Sequence, residues 1–159
     1  MITPFYYNNT SNLILCQEMA NWLDKFYWQI WATLTFKEEI YNAGAWVRVN
    51  KWLNRMKNWS KAWDLSAFIG MEITKWRAVP HFHLMINSNQ VIIKRDRFWE
   101  LWYSKNGRAR LEPYNTELTA SHYLTKYVAK GNFLKEFTWN VYGTPTEKSM
   151  GIFKLLTTE

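Results

Sequence analysis

Cys16 is the chain's only cysteine, so no internal disulfide can staple the fold, and a reducing compartment is the expected setting. No apolar run approaches the roughly 18 residues that a membrane-spanning helix needs. The stretch from Met1 to Leu15 lacks a basic region followed by a long apolar one, so it does not read as a signal peptide. A cytoplasmic protein without membrane contact is therefore expected. Low-complexity tracts, linkers and internal repeats are missing too, which argues against disorder and leaves one domain over residues 1–159. Acidic residues are in deficit. The 13 Asp and Glu face 20 Lys and Arg, which leaves a formal charge of +7 and a pI near 9.5. That surplus favours a polyanionic partner, nucleic acid before an anionic membrane.

What the chain has in abundance is aromatic surface. Aromatic residues make up 18% of the chain and hydrophobic residues 48%, enough to bury a proper core. Flat rings can stack on unpaired bases, but a large ring is first of all a burier of surface. Most of the eleven tryptophans are therefore expected in the core or between helices.

Trp28–Phe36 (WQIWATLTF) is dense in aromatic and β-branched residues and predicts a buried strand. From Ala45 to about Trp63 a helix is predicted, with Trp46, Val49, Leu53, Met56 and Trp63 as its apolar stripe. Arg48, Lys51 and Arg55 keep the same spacing on a neighbouring stripe, which is either a solvated face or one that meets phosphates. Ala67–Lys75 and His81–Asn87 are strand candidates, with Pro80 at a position where a strand can begin. Arg95–Tyr103 reads as a helix, Lys105–Gly107 as a turn, and Arg108–Tyr114 as a short strand that carries Arg108 and Arg110. Thr116 or Thr119 can cap a further helix that runs to Lys130 and stops at Gly131. The order predicts an α+β sandwich, a central antiparallel β-sheet flanked by helices that lie mostly on one face. No element is assigned to the last 28 residues, and the N-terminal segment up to Asp24 is placed only loosely.

Two residue patterns carry chemistry. His81 and His83 are two apart on a strand, so both point to one face, about 7 Å apart, where they can converge on a cation. Phe82, Leu84 and Ile86 then fill the core side. With a symmetric connection between the two strands, Glu72 falls opposite His83 and Thr74 opposite His81. A carboxylate among Phe68, Ile69, Met71 and Ile73 is costly to bury alone, and a metal would offset that cost. Two histidines and one carboxylate leave positions open for substrate oxygens. The alternative is a pair of histidines that only satisfy local hydrogen bonds.

The second pattern is Tyr123, Lys126, Tyr127 and Lys130, which steps of three, four and three place on one helical face. Ala120, Leu124 and Val128 form another stripe that can pack on the sheet. Two phenols and two ammonium groups suit a phosphate. Tyrosine can form covalent intermediates, and neighbouring cations favour its ionised form and steady developing phosphate charge. A surface helix decorated with amphipathic side chains is the competing explanation.

Taken in order, Thr33-Leu34-Thr35-Phe36, His81-Phe82-His83-Leu84 and Tyr123-Leu-Thr-Lys126-Tyr127-Val-Ala-Lys130 resemble the three motifs of the HUH endonucleases. Within that superfamily the chain is most similar to the rolling-circle replication initiators (Rep proteins) of small phages and plasmids. The resemblance covers about Trp31–Lys130, inside a motif core of about 28–131. It implies a ferredoxin-related sandwich that nicks and rejoins single-stranded DNA with Mg²⁺ or Mn²⁺ through a 5′-phosphotyrosine and a free 3′-hydroxyl. It also implies that His81, His83 and Glu72 are the metal ligands and that Tyr127 or Tyr123 is the nucleophile. Lys126 or Lys130 would orient phosphate or solvent. Tyr127, followed by Lys130 and Gly131, fits the single-tyrosine pattern better, whereas two-tyrosine relatives alternate nucleophiles. The implied partner is single-stranded DNA at a replication origin, with or without a hairpin. No Walker A loop is present, so a host helicase, together with a host polymerase, is expected to act with it. Arg48, Lys51, Arg55, Arg108 and Arg110 are the expected DNA contacts.

Two other functions fit parts of this pattern. Single-strand transposases of the same superfamily usually take a third ligand from the tyrosine helix, commonly a Gln four residues after the nucleophile. Here the corresponding positions hold Tyr127 and Gly131, neither a good Mg²⁺ ligand. A non-catalytic nucleic-acid-binding module would account for the charge and the aromatics, but not for a His-x-His strand beside a paired Tyr/Lys helix.

Overall fold

Five strands pair into one antiparallel sheet: β1 (Ile30–Leu34), β2 (Ser66–Ile73), β3 (Pro80–Asn87), β4 (Ala109–Pro113) and β5 (Phe137–Tyr142). Their spatial order is β4-β1-β3-β2-β5. Three helices accompany them, α1 (Asn9–Leu23), α2 (Asn42–Ser60) and α3 (Arg95–Lys105). The computed structural model describes residues 9–73, 79–120, 122–123 and 137–148. The α+β class with a central antiparallel sheet is as expected from the sequence.

Alternation along the strands divides the apolar residues between two cores. Ile30, Ala32 and Leu34 of β1 share one face with Phe82, Leu84 and Ile86 of β3. That face packs on Val49, Trp52, Leu53 and Met56 of α2 and on Phe98 and Trp102 of α3. Trp31, Phe68 and Met85 point the other way, beneath Cys16, Met19, Ala20 and Leu23 of α1 and beside Ala120. Helices therefore cover both faces, not mostly one. The physical reason is that β1, β2 and β3 carry large apolar side chains in both phases, and each phase needs a cover.

The buried positions of α1 follow a helical 16, 19, 20, 23 spacing, but Ile14 and Leu15 are exposed beside them and blur the stripe. Burial also holds the Cys16 thiol protonated, above its usual range. At the other end of the chain, β5 supplies an outer strand where the sequence suggested no element.

Helix α2 ends earlier than its apolar pattern suggested. Lys61 adopts the left-handed conformation (φ 54°, ψ 32°), and the Ala62 N–H donates to the Lys57 carbonyl at 2.9 Å. A lysine in that role gives no glycine signal, so the predicted stripe runs on to Trp63, which is outside the helix and 61% exposed. Val49, Leu53 and Met56 are buried as expected, with Trp46 packed at their margin.

Gly143 closes β5 at φ 67°, and a Cβ there would collide with the carbonyl oxygen of Leu65. Both the backbone angle and the contact demand glycine. Gly143→Ala should lower stability by about 1–3 kcal/mol, read as an earlier midpoint in urea. An unchanged midpoint would show that β5 is not locked at this turn. Among the described residues, no helix is long and apolar enough to cross a membrane.

Candidate active site on the histidine face

Cross-strand pairing sets a continuous row over all five strands. Arg110 pairs with Thr33, Thr33 with His83, His83 with Gly70, and Gly70 with Trp139. Directly paired residues share a face, so this row lies on the face of Trp31 and Phe68. One step along, Phe137 pairs with Glu72 and Glu72 with His81. His81, His83 and Glu72 thus share one surface.

The expected register needs correction by two residues. Glu72 lies opposite His81 and not His83, whose partner is Gly70. Pairing begins at Ile73 and Pro80, so residues 74–79 join the strands, and the symmetric connection assumed from the sequence was misplaced. A two-residue slip preserves side-chain parity, which is why Glu72 still reaches the histidines. Its Oε2 stands 3.7 Å from His83 Nε2, a diagonal approach across the β2–β3 ladder. Thr74 lies outside the described residues.

His83 is held on several sides. Thr33 Oγ1 lies 3.2 Å from its Nδ1, and the Trp31 ring stacks on it at 5.8 Å with planes 23° apart. The contact at Nδ1 fixes the ring and leaves Nε2 turned toward Glu72. His83 is 7% exposed and Glu72 8%, so the face is more closed than the sequence suggested. A buried imidazole and a buried carboxylate, with a second histidine opposite that carboxylate, form a donor set that suits a divalent cation. Among the described residues, no three His, Cys, Asp or Glu side chains already close into a metal cage.

The start of the tyrosine helix is fastened to the same face. Ala120, His122 and Tyr123 are helical, and Ala120 is buried against α1. The Ala120 N–H donates to Asp24 Oδ1 at 2.7 Å, so a carboxylate from beyond the end of α1 satisfies a donor at this helix start. The His122 N–H bonds back to the Thr119 carbonyl at 3.0 Å. Tyr123 inserts its ring between Trp31 at 4.5 Å and Tyr114 at 5.0 Å, and its hydroxyl accepts the Asn115 N–H at 3.2 Å. Tyr114, Tyr123, Trp31 and His83 make a ladder of rings that ties the third motif to the second. Burial raises the Tyr114 phenol far above its usual range, with the charge of Asp24 and the Tyr123 neighbour adding to it, so Tyr114 stays neutral. Lys126, Tyr127 and Lys130 lie outside the described residues.

The predicted DNA contacts divide between two layers. Arg110 is on the histidine face, but it pairs with Glu112 at 2.8 Å, an exposed contact worth little in stability. Arg108 is exposed at the entry to β4, where its carbonyl accepts the Thr35 N–H. Arg48, Lys51 and Arg55 stand on α2, which packs on the opposite face.

Residues 29–132 match the family of replication-associated proteins of the ORF2 type. The chain belongs to that family. The match spans β1 through the tyrosine helix and includes all three motifs, whereas α1 and β5 fall outside it and still pack on the sheet. No curated protein and no solved structure matches the chain. Membership makes this a replication-associated protein, consistent with a Rep-type initiator that works on DNA.

Two site features escaped the sequence reading. Trp31, here a bridge between His83 and Tyr123, appeared only as a strand residue, because nothing local marks which face of a doubly apolar strand it takes. Trp139 is 52% exposed and sits in the His83 row, oriented by rings of Phe68 at 6.1 Å and Trp22 at 6.4 Å. Its aromatic alternation with Phe137 and Val141 was the available signal.

Proposed function

We propose that this replication-associated protein is a site-specific single-stranded DNA endonuclease and ligase that starts rolling-circle replication. The observation that carries the reading is convergence. The threonine strand, the His-x-His strand and the first tyrosine of the helix meet on one face, joined by the Thr33–His83 contact and the Trp31–Tyr123 stack. Shared packing alone does not call for a buried carboxylate beside a buried histidine, and Glu72 with His83 supplies that pair.

In this reading His83, Glu72 and His81 hold Mg²⁺ or Mn²⁺, which when bound polarises the scissile phosphate. The Tyr127 hydroxyl oxygen attacks phosphorus while its proton passes to solvent. The bond to the 3′-oxygen breaks, and that oxygen leaves as a 3′-hydroxyl after taking up a proton. The product is a 5′-phosphotyrosine, and attack by a 3′-hydroxyl reverses the step and rejoins the strand. Lys126 and Lys130 steady the phosphate charge. Tyr123 serves as the helix anchor, its ring and hydroxyl both engaged. Trp139 offers a stacking surface for a base of the bound strand. The origin DNA, a host helicase and a polymerase complete the proposed reaction setting.

The test mixes the protein with Mn²⁺ and a randomised single-stranded DNA pool that includes hairpin members, on a denaturing gel. A band of higher mass that survives SDS and disappears with EDTA is expected. Tight binding with no adduct in any metal would instead support a non-catalytic binding module.

A further inference from the structure

Cations gather on the helical layer, away from the histidine face. A cleft of about 290 Å³ opens between α2 and α3, and Arg48, Lys51, Arg55 and Lys105 line it without any acidic neighbour in the lining. Like charges one turn apart repel, so this grouping is unfavourable unless an anion offsets it. Among the described residues, none of the four has a carboxylate within ion-pair distance. Arg48 Nη1 donates to Asn106 Oδ1 at 3.3 Å, which holds its guanidinium across the cleft toward the end of α3.

The shape tells what kind of anion fits. Trp52 is part of the lining, but it is buried and its Nε1–H is already donated to the Phe98 carbonyl at 3.0 Å. No exposed ring is therefore offered to a base, and the cations reach for phosphate alone. From Arg48 to Arg55 the helix advances by about 10 Å, roughly three steps of a duplex strand.

The cleft is also connected to the site. Asn106 at its rim accepts the Lys37 N–H at 2.9 Å through its carbonyl, and Arg108 accepts the Thr35 N–H at 2.9 Å. These bonds fasten the α3–β4 turn to the chain just beyond β1, two residues after Thr33, which touches His83. Gly107 allows this approach, because a Cβ there would lie 2.5 Å from the Thr35 carbonyl oxygen. Lys105, Arg108 and Arg110 thus step from the cleft around the sheet to the histidine face.

We infer that the α2–α3 cleft is a second DNA site, one that grips the phosphodiester backbone of the origin DNA on the layer opposite the histidines. The inference rests on DNA as the substrate and not on the nicking chemistry, so it is tested in EDTA, where no cleavage occurs. Fluorescence anisotropy would follow labelled thirty-nucleotide oligo(dT) and a labelled thirty-base-pair duplex over a range of salt. For the Lys51→Gln/Arg55→Gln variant, the plot of log affinity against log salt should become shallower by about 0.7 per lost charge on the single strand. A change of about 0.9 per charge on the duplex alone would support the cleft and assign it to paired DNA. Both side chains are exposed, so the variant should keep the wild-type circular dichroism and thermal midpoint. Unchanged slopes on both probes, in a folded variant, would overturn the proposal. A missing adduct in the nicking assay would leave this result untouched.

Discussion

His83→Ala should reduce metal-dependent nicking by at least about a thousandfold, which corresponds to roughly 4 kcal/mol of transition-state stabilisation. His83 is buried, touches Thr33, stacks on Trp31 and approaches Glu72 within 3.7 Å, so no neighbouring side chain can take its place. The loss should appear in single-turnover cleavage of an oligonucleotide that carries the site. Thr33→Val gives the graded control. It removes the contact to Nδ1 but keeps the imidazole, and should weaken Mn²⁺ affinity by about 10- to 100-fold, as loss of a partner behind a ligand does. If His83→Ala nicked at the wild-type rate, the histidine face would not be the metal site.

The second large effect belongs to the tyrosine helix. Tyr127→Phe should abolish the SDS-stable adduct, a loss of at least about a thousandfold in rate, while affinity for single-stranded DNA stays the same. Tyr123→Phe should behave differently. It keeps the ring between Trp31 and Tyr114 and removes only the hydroxyl that accepts the Asn115 N–H, a loss of about 1 kcal/mol in stability. Adduct yield in Tyr123→Phe should therefore stay within a few-fold of wild type. The reverse outcome, with Tyr127→Phe active and Tyr123→Phe dead, would move the nucleophile to Tyr123. Activity in the double variant would sink the tyrosine mechanism altogether. Both assays read covalent product by gel and binding by anisotropy, so loss of chemistry is separated from loss of DNA.

Much of the site was legible because strand parity is local. His81, His83 and Glu72 share a face for any even-numbered register, and the two-residue error in the pairing did no damage to that conclusion. Strands β2 and β3 and helix α3 were also visible, since their apolar runs and their punctuating residues agree. The end of α2 was not, because a left-handed lysine leaves no compositional mark. Helix α1 was hidden by exposed apolar neighbours, and β5 by its place in an outer position of the sheet. The basic stripe of Arg48, Lys51 and Arg55 was correctly seen as one face of a helix. Which layer that face belongs to could not be read, because periodicity gives an angle around a helix and not the side of the sheet it packs on.

The sequence by itself determined the fold class, the three motifs, the parity of the metal-binding candidates and the positive charge that calls for DNA. These depend on side-chain type and short-range spacing, which backbone geometry converts directly into shared faces. Only the tertiary structure decided the pairing of Glu72 with His81, the aromatic ladder from His83 to Tyr123, the covering of both sheet faces, and the separation of the basic cleft from the histidine row. Those outcomes depend on residues far apart in the chain, where the connection between strands and the burial of two apolar phases at once select one arrangement among several that local patterns allow equally.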